Sequence, residues 1–249
     1  MSVPTKPTVG ILGAGSGLGK ALAVESLDRG HEVVAFGRSV DDLPRRPGLT
    51  SRAVDLVDGA SVSRVDVHLG ATPYLFWVAG AFIKKPHIEV TEQELDDYLA
   101  LMLRGPLVFL RRFLRSHVAP IHLVTIASSS SWKLRDHEAL YCAVKAAQGT
   151  FTRQLVPELL EQHPGSRATV VQPGGLAVPG FLGAEATDLG AMLDPAEVAR
   201  VIWDVIEGQT EPCTEVQILR QPGPDGGSIP DVSFGSRAPQ LPVAVAVPR

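Results

Sequence analysis

Short apolar runs alternate along the chain with longer stretches in which apolar residues recur at helical spacing. Val9–Leu12 is predicted as a strand, and a helix follows from about Gly17 to Arg29. Val33–Phe36 reads as a second strand ending at Gly37, and Ser51–Val54 as a third that leads to Asp55 and a helix around Ala60–Leu69. A fourth strand, Tyr74–Val78, is stopped by Ala79-Gly80. Thr91, with Glu94 three residues on, has the pattern of a capping box. The helix it opens carries Leu95, Leu99, Met102, Leu103, Leu107 and Leu110 as an apolar stripe. Ile121–Ala127 is then a strand, Glu138–His163 a helix and Ala168–Gln172 a strand. Asp194-Pro195 starts a further helix to about Glu207, with proline where a first helical turn tolerates it, and Val216–Leu219 is the last strand.

Strands that lack strict alternation, each followed by a helix, imply a parallel sheet covered on both faces. Right-handed crossovers then lead to an α/β fold, a doubly wound, Rossmann-like sheet in a single domain over residues 1–220. A length of 249 residues with 45% hydrophobic content suits one such core. Beyond Arg220 the residues Pro222, Pro224, Gly226, Gly227, Pro230, Pro239, Pro242 and Pro248 break regular elements. Residues 221–249 are therefore expected as an irregular tail draped over the domain or a neighbouring subunit.

The net charge of −4, with basic residues scattered, argues against nucleic acid or a membrane surface as partner. No apolar run approaches the roughly 18 residues of a membrane span. Met1–Thr8 is short, polar and broken by Pro4 and Pro7, so a soluble cytoplasmic protein is expected. Cys142 and Cys213 are the only cysteines, and the seven histidines show no ligand spacing; no disulfide framework and no metal are expected.

Chemistry concentrates in two places. The first strand runs into Gly13-Ala14-Gly15-Ser16-Gly17-Leu18-Gly19 and then a helix. Glycines there allow a tight turn and close backbone approach to a pyrophosphate, which the helix N-terminus favours. A P-loop is excluded, because Ala14 stands where its first glycine should be and Ala21 replaces Ser/Thr. The second place is Tyr141-Cys-Ala-Val-Lys145, whose ends are i and i+4 on one helix face. A phenol of pKa about 10 needs roughly 4 kcal/mol to reach neutrality. One cation about 4 Å away, at an effective dielectric near 20, supplies about that much.

The GxxxGxG spacing of Gly13, Gly17 and Gly19, together with YxxxK, resembles the short-chain dehydrogenase/reductase family in its single-domain form, over roughly residues 8–220. Asp55-Leu56, Ala79-Gly80, the run Ser128-Ser129-Ser130-Ser131 and Pro173-Gly174 match in order after successive strands. The resemblance implies Asp55 and Leu56 near the adenine, and Ala79, Gly80, Pro173, Gly174 and Leu176 near the nicotinamide, with Tyr141 and Lys145 also in contact. It implies Ser128 as the hydroxyl that steadies the substrate oxygen, with Ser129 the alternative one register on. Where NAD enzymes carry an acidic residue at the end of the second strand, this chain has Gly37-Arg38-Ser39, so NADP(H) is the expected cofactor.

Five residues depart from the family pattern. Leu12 stands for threonine, Trp77-Val78 for two asparagines, Val178 for threonine, and Met102 for a helix asparagine linked to proton relay. A thioether cannot donate, so solvent is expected to reach Lys145 or the cofactor ribose more directly. The expected function is an NADP(H)-dependent oxidoreductase for a small apolar carbonyl or alcohol substrate. The alternative is a nucleotide-binding, non-redox member of the fold that acts through a partner. Pro179–Leu193 is expected as a lid presenting Phe181, Leu182, Leu189, Met192 and Leu193, with Trp132 opposite. A homodimer or homotetramer is expected through the two long helices, Glu92–Ser116 and Glu138–His163, with Leu110, Phe113, Phe151 and Leu155 as subunit contacts or, equally, intrachain core.

Overall fold

The computed structural model describes residues 7–69, 73–181, 189–224 and 226–236. Within them one sheet holds β1 (Thr8–Leu12), β2 (Glu32–Gly37), β3 (Leu49–Ala53), β4 (Tyr74–Trp77), β5 (His122–Ile126), β6 (Arg167–Pro173), β7 (Cys213–Pro222) and β8 (Ser228–Phe234). Their spatial order is β3-β2-β1-β4-β5-β6-β7-β8, parallel throughout except for the antiparallel β7–β8 pair. The order reverses between β1 and β4. At such a switch point the connections leave to opposite sides and open a crevice beyond the carboxyl ends of the strands.

One face is covered by α1 (Gly17–Asp28) and α6 (Pro195–Gly208). The other carries α2 (Gly59–Arg64), α4 (Gly105–Ser116) and α5 (Ala139–Gln162), with α3 (Glu92–Leu99) leading into α4. On the first face, Leu18, Leu22 and Ala23 of α1 pack with Ile202, Trp203 and Ile206 of α6 in one cluster. Arg29, just past α1, reaches Glu25 at 2.8 Å and Asp204 and Glu207 at 2.7 Å each, and its guanidinium lies 5.8 Å from the Trp203 ring centre. Among the described residues no helix is long and apolar enough to cross a membrane.

The expected irregular tail is corrected by β8. Pro230 lies inside it, opposite Arg220, and among the described residues the strand forms an edge of the sheet, where a missing N–H is tolerated. Residues 237–249 of that tail lie outside the described residues. The helix expected to Leu69 stops at Arg64: Val65, Val67 and Leu69 bury alternate side chains in extended chain instead. The helix expected unbroken from Glu92 to Ser116 winds as a π turn over Ala100–Arg104. Leu110, Phe113 and Leu155 are core residues, 3%, 1% and 7% exposed, and so are not available as subunit contacts.

Candidate active site

At the crevice, β1 ends on a turn that requires glycine at Gly13 and Gly19. The amides of Gly13 and Ala14 both donate to the Phe36 carbonyl, at 2.8 and 3.2 Å, and tie the turn to the end of β2. Gly13 has φ +100°, and a Cβ on it would stand 2.4 Å from the Ala79 nitrogen. One helical turn on, a Cβ on Gly19 would stand 2.0 Å from the Gly13 carbonyl oxygen, so α1 rests directly on the turn. Ser16 caps α1 with extended backbone but without a side-chain capping bond. Its hydroxyl and the first-turn amides, which have no partners within a helix, are left to the cleft. This backbone cradle fits a dinucleotide phosphate.

The cleft encloses about 440 Å³. Its wall brings together Gly13, Gly15, Ser16, Gly17, Leu18, Gly19, Gly37, Arg38, Ser39, Leu56, Ala79, Gly80, Ser128, Tyr141, Lys145, Pro173, Gly174 and Leu176, all expected from the sequence. Asp55 is the exception. Its carboxylate accepts the Val57 N–H at 3.0 Å, and its own N–H donates to Ser61 Oγ at 3.0 Å, so it shapes the loop while Val54 lines the cleft.

The serine run folds into a 3-10 turn over Ser129–Ser131, with Ser128 Oγ accepting the Ser130 N–H at 3.1 Å. Of the four serines it is Ser128 whose hydroxyl pairs with the Tyr141 phenol; Ser129 and Ser130 also line the wall. Burial pushes the Tyr141 phenol above its ordinary value, and the Ser128 hydrogen bond partly opposes this. Lys145 Nζ lies 6.0 Å from the centre of the Tyr141 ring, and burial pushes the ammonium down to about 7. Desolvation thus drives both groups toward their neutral forms.

Behind the lysine the chain does not open to solvent. Lys145 is 4% exposed and donates to the Ile126 carbonyl at 2.8 Å and to Gln148 Oε1 at 3.0 Å. Gln148 in turn donates through Nε2 to the Met102 carbonyl at 2.8 Å. That carbonyl is free because Pro106, four residues on, has no N–H to complete the helical bond. The expectation of a solvent route to Lys145 on this side is therefore corrected. The Met102 side chain is wholly buried, and its sulfur accepts the Ala81 N–H at 3.1 Å, while Tyr98 donates its hydroxyl to the Ala81 carbonyl at 2.9 Å.

At the mouth, Phe82 meets Tyr141 edge-on at 5.0 Å and lies 6.2 Å from Phe181. Leu101 and Met192 extend this apolar wall, and Arg135, Glu138 and Arg220 add charge to it. Of the expected lid residues, Phe181 and Met192 line the cleft, Leu193 is buried in the core, Leu189 and Trp132 are absent from the lining, and Leu182 lies outside the described residues. Val178 packs over Gly17, whose φ is +50°. Phe82, Leu101, Gln148 and Arg220 were not anticipated; Phe82 alone had a local signal, three residues beyond Ala79 on the loop after β4.

Residues 7–184 match the model of the short chain dehydrogenase family. L-xylulose reductase of Mus musculus is 27% identical over 156 residues, 60% of this chain and 64% of that protein, so the chain spans somewhat under two thirds of that relative's length. A short chain dehydrogenase family protein from Francisella tularensis superposes with a TM-score of 0.75 at 16% identity, covering 86% of this chain and 97% of the other. An alcohol dehydrogenase from Thermococcus sibiricus, complexed with 5-hydroxy-NADP, superposes with a TM-score of 0.70 at 21% identity, covering 86% and 95%. The family match takes in well over half of the chain and runs from the glycine turn past Tyr141 and Lys145 to the loop after β6, and on that ground the protein belongs to the short-chain dehydrogenase family.

Proposed function

We propose that the protein is an NADP(H)-dependent oxidoreductase for a small carbonyl or alcohol compound. The observation that carries this reading is the convergence of the Ser128 hydroxyl, the Tyr141 phenol and the Lys145 ammonium on one wall of the glycine-lined cleft. The cradle of Gly13, Gly17 and Gly19 would hold the pyrophosphate, and Arg38 and Ser39 the 2′-phosphate. A bound nicotinamide supplies or takes up the hydride. In the reductive direction Tyr141 donates its proton to the substrate oxygen, and Ser128 hydrogen-bonds the same oxygen as charge develops. In its protonated form Lys145, whose ammonium burial pushes down to about 7, favours the phenolate that remains.

The apolar wall of Phe82, Leu101, Phe181 and Met192 excludes water from the reacting oxygen and suits an apolar substrate face. Assembly as a homodimer or homotetramer belongs to the same proposal, and light scattering tests it. The assay for function is NADPH oxidation with a panel of ketones, aldehydes and quinones. Tyr141→Phe is expected to abolish turnover while NADPH binding persists; retained turnover would eliminate the mechanism. Binding without turnover in the wild type favours a nucleotide-binding member that acts through a partner.

A further inference from the structure

We propose that Gln148 is a positioning residue for Lys145: its side-chain amide spans the gap between the Met102 carbonyl and the lysine, aims the ammonium into the cleft, and seals the rear of the site. The inference rests on the reading of the cleft given above. The amide orientation follows from its partners, since an ammonium only donates and a carbonyl only accepts. Oε1 must therefore face Nζ at 3.0 Å, and Nε2 must face the Met102 oxygen at 2.8 Å. Gln148 is fully buried and Lys145 nearly so.

Two of the three N–H bonds of Lys145 are thus spent on Gln148 and the Ile126 carbonyl, and the third is left for the cleft, which Lys145 lines. A carboxamide passes no proton between its oxygen and its nitrogen without changing tautomer, so Tyr141 is resupplied with protons from the cleft side. Among the described residues the only titratable group beside Lys145 is Tyr141 on its own helix. The neighbouring elements offer the Ile126 carbonyl, Met102 and the backbone of Gly80, none of which titrates. Glu138 and Arg135 act on the phenol. Burial depresses the lysine, and among the described residues Gln148 is the side-chain acceptor that opposes it.

The test is the pH dependence of NADPH affinity, read by fluorescence titration, for the wild type, Gln148→Leu, Gln148→Glu and Lys145→Met, with folding checked by circular dichroism. Wild-type affinity should fall as pH rises through the titration of Lys145. Gln148→Leu should move that midpoint down by about one pH unit, the worth of one hydrogen bond to a charged group. Gln148→Glu should move it up, and Lys145→Met should remove it. If Gln148→Leu does not fold, the upward displacement in Gln148→Glu carries the test. A midpoint indifferent to both Gln148 variants but abolished in Lys145→Met overturns this inference alone, as does a uniform loss of affinity at every pH. A wild type that does not bind NADPH, or a midpoint that survives Lys145→Met, overturns the reading of the cleft as well.

Discussion

His122 should make this fold sensitive to mild acid. The Gln209 amide donates to the carbonyls of Ala168 and Glu211, at 3.1 and 2.8 Å, so its Oε1 faces Thr169 at 2.5 Å and accepts that hydroxyl's hydrogen. The Thr169 oxygen is then an acceptor for His122 Nε2 at 2.8 Å, which places the imidazole proton on Nε2. A second proton would go on Nδ1. Burial first, and the Arg167 charge second, push the imidazole from 6.5 down to about 4. The native state therefore takes up protons less readily than the unfolded chain. Its stability from this group is complete above about pH 6.5 and is lost as pH falls toward 4. Between pH 7.5 and pH 5 the unfolded histidine becomes almost fully charged while the folded one stays mostly neutral, a loss of about 2 kcal/mol. Urea unfolding at the two pH values, followed by far-UV circular dichroism, measures it. His122→Gln keeps a donor for Thr169 but does not titrate, so it should lose about 2 kcal/mol less than the wild type over that interval. The residual loss reports His117, which is also depressed, by burial and then by His163, together with Lys145, which titrates in the same interval. Equal acid losses in the two proteins would refute the account.

Three further outcomes follow from the cleft. Arg38→Asp should weaken NADPH binding at least tenfold while sparing NADH, by lost pairing and like-charge repulsion; equal loss for both nucleotides in calorimetry would remove Arg38 from the phosphate site. Gly19→Ala drives a methyl group against the Gly13 carbonyl, so the thermal midpoint should fall by an amount corresponding to about 1–3 kcal/mol, with weaker nucleotide binding; an unshifted melt would show that α1 is not seated as described. Met102→Asn should lower stability by about 2–4 kcal/mol, since it empties part of a fully buried site and leaves amide atoms to satisfy. It should nevertheless leave turnover per folded molecule within about threefold, because Met102 reaches Lys145 through its main-chain carbonyl; a large gain in turnover would count against that link.

What was legible in the sequence was what local spacing dictates. The glycines of the turn, and Tyr141 and Lys145 one helical turn apart, declare themselves within a few residues, as do the Thr91 capping box and Asp194 before Pro195. Gln148 could not be found that way, because it acquires meaning only when α5 docks against a π turn 46 residues earlier. The π turn itself was masked by an apolar stripe that continues through it, although Pro106 marked the place. Strand β8 was hidden by prolines that an edge strand accommodates and an interior strand would not. Asp55 was placed by resemblance, while its carboxylate is engaged by the nearest free amide.

The packing of α1 against α6 has a consequence for how the protein is made. Arg29 and its partner Glu207 are separated by 178 positions, and the apolar side of α1 is closed by Ile202, Trp203 and Ile206. On the ribosome the glycine turn and α1 emerge before the surface that covers them, which is synthesised some 178 residues later. At about 5–20 residues per second that side of α1 stays open for roughly ten to forty seconds. The first βαβ unit therefore cannot settle as an independent foldon while the chain grows, and Leu18 and Leu22 are offered to chaperones throughout that interval. A nascent chain stalled before residue 195 should remain protease-sensitive from its first helix onward, and release of α6 should be the step that commits the amino-terminal half to its native state.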